Sequence, residues 1–163
     1  MNIKKENNFI NENNFNFLVK EIQSIHFPWY ISGIDTRTKK YKQFSHHFFS
    51  SDNLKGWNSN FINLIEPILN KINAKCLYRI KLNLINKTDK IIEHPFHTDI
   101  DSDKFTTSLF YLNTNNGYTM FENNLKIFSE KNTLVTFSSN TLHHGTSCTD
   151  QEFRLVLNMV YIK

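Results

Sequence analysis

The spacing of apolar residues changes along this chain. Between about residues 11 and 25, Phe15, Leu18, Ile22 and Ile25 recur at intervals of three and four, which predicts an amphipathic helix with Pro28 beyond its end. A second stripe begins after Ser51 and Asp52 and runs through Trp57, Phe61, Ile62, Ile65, Ile68, Leu69 and Ile72. Pro67 lies within it and predicts either a kink or the true start of the helix. Between the two stripes, the aromatic run YKQFSHHFFS is short enough for a strand.

From Lys75 onward the period falls to two. LYRIKLNLI, TTSLFYLN, KNTLVTF and FRLVLNMVYI read as strands, with turn-forming segments such as NKTDK, NTNNG and SSNT among them. In the last strand Phe153, Leu155, Leu157, Met159 and Tyr161 share one side, while Arg154, Val156, Asn158 and Val160 share the other. The first side suits a helix layer and the second a partly polar cavity. Helices followed by strands predict an α+β, mainly β fold, in which helices cover one face of an antiparallel sheet and a second sheet closes the other. A chain of 163 residues is long enough for one sizeable core. The expectation is a single domain over 1–163, with a helical support region at 1–74 and a β core at 75–163.

Composition narrows the classes. Hydrophobic residues make up 39% and aromatics 14%, so a core is available despite the many Asn and Lys residues, whose abundance resembles the bias of an AT-rich bacterial or viral genome. The formal charge of +4 is spread over scattered lysines without a basic run, so nucleic acid is not indicated as a partner. Two cysteines, Cys76 and Cys148, neither in a CxxC pair, argue against a disulfide framework and against a thiolate zinc site. No secretory leader and no run of eighteen apolar residues is visible, which predicts a cytoplasmic protein without a membrane partner.

The candidate chemistry begins in HPFHTDID, residues 94–101. If this segment is a strand, His97 and Asp99 project to one face and both reach one cation. Such a pair arises by chance too often to carry weight alone. Further on, LHHGT places His143 and His144 eleven and ten residues before Arg154, on the strand face assigned to the cavity. A buried arginine needs an anion, and its planar fork of donors matches a carboxylate. Two imidazoles and one carboxylate on one face would leave positions open on a non-haem iron(II) ion. Asp99, Asp101 and Asp103 imitate the start of a calcium loop, but Lys104 and Phe110 stand where that loop needs Gly and Glu.

In the order HTD, YLNTNNGYTMFE, LHHGT and Arg154, residues 75–163 resemble the 2-oxoglutarate and iron(II)-dependent oxygenases, nearest their prolyl 4-hydroxylase-like branch. The resemblance implies a double-stranded β-helix (jelly-roll) core with the N-terminal helices on its major sheet. It implies iron(II) held by His97, Asp99 and His143, the last chosen because it stands two residues before Gly145, with His144 as the alternative. It also implies 2-oxoglutarate held at its 5-carboxylate by Arg154 and Tyr111, with Thr119 and Asn83 lining the pocket. Molecular oxygen is then the co-substrate, and ascorbate a stimulant.

By the same resemblance Asp99 favours hydroxylation over halogenation, and the substrate is a prolyl or other protein or peptide residue, with a free amino acid or small metabolite as the alternative. Retention of His97, Asp99, His143 and Arg154 together argues against a non-catalytic module. Gly117 and Phe121 read as structural, and Asn116 replaces a glycine at a position expected to tolerate a left-handed backbone. His46 and His47 read as packing residues of an aromatic strand, and His94 as a neighbour of the metal site or a surface residue.

Overall fold

The period-two half of the chain forms the sheet that its alternation predicts, and the earlier part adds strands of its own. The computed structural model describes residues 2–33, 42–51 and 56–163. In chain order it comprises β1 (Lys4–Glu6), α1 (Glu12–Ile22), β2 (Tyr30–Gly33), β3 (Lys42–Ser50), β4 (Gly56–Trp57), a 3-10 turn (Ile62–Leu64) and α2 (Glu66–Ile72). There follow β5 (Cys76–Asn86), β6 (Thr106–Tyr111), β7 (Tyr118–Phe121), β8 (Lys126–Phe128), β9 (Thr133–Ser138), β10 (His143–Gly145) and β11 (Phe153–Ile162).

The support region expected to be helical therefore also supplies four strands. Helix α1 starts where Asn11 accepts a hydrogen bond from the Asn14 backbone at 2.9 Å, a side-chain cap worth about 1 kcal/mol. It ends at Ile22, earlier than its periodicity suggests, and Ile25 is 95% exposed beyond it. The second stripe breaks into three pieces. Trp57 lies in β4, a 3-10 turn follows, and Pro67 stands in the first turn of α2, where its missing N–H costs nothing. Asn73 closes α2 with a left-handed backbone, φ 52°.

The major sheet is antiparallel, in the order β1-β9-β6-β11-β5-β3-β2, with β4 added on β3. The minor sheet is β10-β7-β8. Alternation sorts the central strands of the major sheet between two cores. Phe110, Leu134, Ile80, Leu82, Leu155, Leu157, Met159 and Tyr161 face the helices, where they pack with Phe15, Leu18, Ile22, Ile68 and Ile72. The opposite faces look toward the minor sheet, and Leu109, Tyr111, Val135, Phe137 and Val156 meet Phe121 and Ile127 there. At eleven residues α1 is marginal as an isolated helix, so docking of Phe15, Leu18 and Ile22 supplies most of its stability.

The segment carrying His97 is not a continuous strand, contrary to the condition stated for it. It follows β10 through isolated bridges, Glu93 with Thr146 and His97 with His143. Backbone bonds close each end: His94 N donates to Gly145 O at 3.0 Å, while His97 and His143 exchange bonds of 2.9 and 3.0 Å. Among the described residues no helix is long and apolar enough to cross a membrane.

Candidate active site

Between the inner face of the major sheet and the minor sheet lies a cavity of about 650 Å³. Its floor is the inward row of β5 (Arg79, Lys81, Asn83, Ile85) beside that of β11 (Arg154, Val156, Asn158). The wall opposite carries His94, Phe96, His97, Asp99, His143 and Gly145.

His97 and His143 are brought together by their backbone bridge, with ring centroids 4.7 Å apart. The Nδ1 of His97 lies 3.2 Å from the Pro95 carbonyl and that of His143 lies 2.9 Å from the Thr141 carbonyl. A carbonyl only accepts, so in each ring Nδ1 carries the proton of that contact, which leaves Nε2 as the atom available to a metal. The His143 Nε2 stands 3.8 Å from Asp99 Oδ2. Phe137, at 4.8 Å between centroids, and Phe121, at 6.1 Å, back the His143 ring. Burial lowers the pKa of His143, outweighing the nearby Asp99 carboxylate, so the ring is held neutral.

The Asp99 side chain is only 3% exposed and fully engaged. Arg79 donates to Oδ1, Thr107 donates to Oδ2 at 2.9 Å, and Asn158 donates to both oxygens at 3.3 Å. Burial on its own would raise the carboxyl pKa, but the Arg79 guanidinium, the two imidazoles and the Thr107 hydroxyl together hold it below the ordinary value.

The two residues of the histidine pair point apart, as neighbours in a strand do. His144 turns from the cavity toward Glu93, with Nε2 4.0 Å from the carboxylate, and packs on the Phe96 ring at 4.5 Å. His94 is buried and lines the cavity between Arg154, His144 and His97. Burial, and after it the Arg154 guanidinium, push its pKa down to about 4, so it is neutral at physiological pH.

The donors fit a divalent metal in kind: two imidazoles with outward lone pairs and one carboxylate. As placed they do not close into a chelate. Among the described residues no three His, Cys, Asp or Glu side chains stand close enough to hold an ion, and Asp99 is paired with Arg79.

At the far end of the floor, Arg154 is 3% exposed. Its nitrogens donate to neutral oxygens: Nε to Ser129 Oγ at 2.7 Å, one terminal nitrogen to Thr119 Oγ1 at 3.2 Å and the other to Thr146 O at 3.3 Å. Among the described residues no acid pairs with it, and burial lowers its pKa. Thr119 lines the cavity and accepts from the Tyr111 hydroxyl at 2.9 Å, so Tyr111 lies behind Thr119, its ring 5.5 Å from the guanidinium. The Oδ1 of Asn83 is buried without a hydrogen-bond partner among the described residues.

Gly117 is there for space. A Cβ on it would stand 2.7 Å from Arg154 Cδ and 2.7 Å from Ser147 O. Asn116 does not take the left-handed backbone expected of it; its side chain instead donates to Thr149 Oγ1 at 2.7 Å and its N–H donates to Asp150. His46 packs among Phe27, Phe48 and Phe61 on the helix side of the sheet, as expected. Arg79 and Lys81 were not anticipated. The alternation of LYRIKLNLI puts them in one row with Asn83, and that was the available signal.

The fold is the double-stranded β-helix of the 2-oxoglutarate and iron(II)-dependent oxygenases, including prolyl hydroxylases. It is similar over 99% of this chain to the non-haem α-ketoglutarate-dependent epimerase SnoN from nogalamycin biosynthesis, with a TM-score of 0.69, 11% identity and 77% of that chain covered. A prolyl 4-hydroxylase from Pseudomonas putida aligns with a TM-score of 0.59 and 12% identity over 99% of this chain and 92% of its own. The viral collagen prolyl hydroxylase of Paramecium Bursaria Chlorella virus-1 aligns at 0.57 and 16% over 99% and 96%. No family model and no curated protein matches the sequence.

Proposed function

We propose that the chain acts as one 2-oxoglutarate-dependent iron(II) dioxygenase unit that hydroxylates an unactivated C–H bond. The observation that carries the reading is Arg154, a buried guanidinium without an acid, in the same cavity as His97, Asp99 and His143. His97, Asp99 and His143 would hold the iron, His144 being turned away. Arg154 would hold the 5-carboxylate of 2-oxoglutarate, oriented by Thr119 with Tyr111 behind it, and Asn83 would border the same pocket. Iron(II) bound there supplies the oxidative chemistry in which 2-oxoglutarate and oxygen yield succinate and carbon dioxide, with one oxygen atom delivered to the substrate carbon.

The chain's own part is positioning. The Pro95 and Thr141 carbonyls hold each imidazole in the tautomer that presents Nε2. Thr107 and Asn158 orient the carboxylate. Ile85, Leu109 and Val156 wall the space between Arg154 and Asp99 with apolar surface, which limits water there.

For the substrate, the first reading is a prolyl or other peptide residue, supported by the likeness in fold to prolyl hydroxylases. A small molecule is the second reading, favoured by a cavity of about 650 Å³, within the usual range for small-molecule sites. The test is succinate release from 2-oxoglutarate with Fe(II) and oxygen. The expected result is turnover that vanishes in His97→Ala and Asp99→Ala. A wild-type protein that binds neither metal nor 2-oxoglutarate sinks the reading and favours a non-catalytic module.

A further inference from the structure

Among the described residues, the charged side chains lining the cavity are Arg79, Lys81, Asp99 and Arg154, of which only Asp99 is negative. His94 adds no charge, since it is held neutral. On the dioxygenase reading, a metal dication and the dianion of 2-oxoglutarate neutralise each other, so loading the site leaves the cationic excess in place.

That excess has a location. Arg79 and Lys81 are two residues apart in the inward row of β5, about 7 Å along the strand. Lys81 lies opposite Asn158 of β11, whose amide holds Asp99, and opposite His47 of β3 on its other side. Arg154 lies opposite Ile85, about 13 Å further along the same ladder. The pair thus sits at the Asp99 end of the cavity, away from the guanidinium assigned to 2-oxoglutarate.

Arg79 already neutralises Asp99, and its Nε is buried without a hydrogen-bond partner among the described residues. Lys81 makes no hydrogen bond or ion pair among the described residues, although burial and the adjacent Arg79 push its pKa down to about 8. A part-buried lysine cation without a direct partner among the described residues is a charge that a ligand anion would offset. Phe96 and Leu142, 44% and 36% exposed, form an apolar edge to the same cavity.

We propose that Lys81 and Arg79 form an anion subsite for the substrate, which carries a carboxylate or phosphate held beside the carbon to be oxidised. The proposal rests on the dioxygenase reading and narrows its substrate class.

The test uses the full chain loaded with Zn(II) and 2-oxoglutarate under nitrogen, titrated in a calorimeter with acid and amide pairs. One pair is 3-phenylpropionate and 3-phenylpropionamide, for a free acid. The other is N-acetyl-Pro-Glu-amide and N-acetyl-Pro-Gln-amide, for a peptide side chain. In at least one pair the acid is expected to bind about tenfold tighter than the amide or better. Lys81→Met and Lys81→Gln should erase that preference, and Lys81→Arg should restore it. Equal affinity within both pairs overturns the proposal, as does the absence of saturable binding by either acid or a preference that survives loss of Lys81. A preference lost only in Arg154→Met means that the acid occupies the 2-oxoglutarate place, and also overturns it. Failure of the dioxygenase reading looks different: the wild-type protein with Zn(II) then takes up no 2-oxoglutarate at all.

Discussion

Withdrawing an ammonium group from water is costly, and the part-buried Lys81 bears some of that cost. Its pKa falls from 10.5 in the unfolded chain to about 8 in the folded one, chiefly through burial and then through Arg79, with Asp99 opposing. Between those values the unfolded chain binds a proton that the folded chain has lost, so stability rises with pH over that window. Below about 8 the full penalty stands. Lys81→Met is accordingly expected to stabilise the protein at pH 7 by on the order of 1–3 kcal/mol. That advantage should shrink between about pH 8 and 10.5, read from denaturant midpoints at each pH.

The histidine pair yields a second prediction at this scale. His143 presents a free Nε2 to Asp99 while His144 faces Glu93 and Phe96. His143→Ala should therefore weaken Zn(II) binding by about a hundredfold or more, and His144→Ala by less than about tenfold, in competition with a chelating dye. Equal losses would mean that the two side chains exchange roles on metal binding.

Among the elements, the minor sheet and the helices act differently on the site. Gly117, at the entrance to β7, stands so close to the Arg154 side chain and the Ser147 carbonyl that it leaves no room for a methyl group. Gly117→Ala must displace the guanidinium or the Ser147 carbonyl. The expected outcome is a fall of about tenfold or more in 2-oxoglutarate affinity with the fold retained, measured by calorimetry and circular dichroism. Helix α1 packs in the core on the other face of the major sheet. Leu18→Ala there is expected to cost about 2–5 kcal/mol of stability, with 2-oxoglutarate affinity unchanged in the folded fraction.

For the molecule as a whole, the residues proposed to bind ligands come from elements far apart in sequence: Arg79 from β5, Asp99 from the segment along β10, and Arg154 from β11. Unfolding disperses them, so any ligand they share must stabilise the folded state. Zn(II) and 2-oxoglutarate, each at 100 times its dissociation constant, should each add about 2.7 kcal/mol, seen as a rise in Tm that Arg154→Met removes for 2-oxoglutarate only.

Much of this arrangement was legible in the residues taken in order. Alternation settles which side of a strand a residue takes, because the period is two whatever the strand pairs with. That placed Leu155 and Leu157 toward the helices and Arg154 toward the cavity before any contact was known. The spacing of Phe15, Leu18 and Ile22 likewise determined the buried face of α1. Helix ends were less legible, since Ile25 continues the pattern after the backbone has turned, and Pro67 allowed two readings until packing chose one. Strands β1 and β4 are too short for a period to register.

Tertiary structure alone decided two matters in the site. His143 and His144 are chemically identical and adjacent, and only the bridge to His97 determines which one faces Asp99. The cationic row was hidden for a related reason. Arg79 and Lys81 in a strand read as solvated charges until the second sheet and the segment along β10 cover them. Local sequence determines the side a residue takes; what lies on that side is set by chain segments that meet it only on folding.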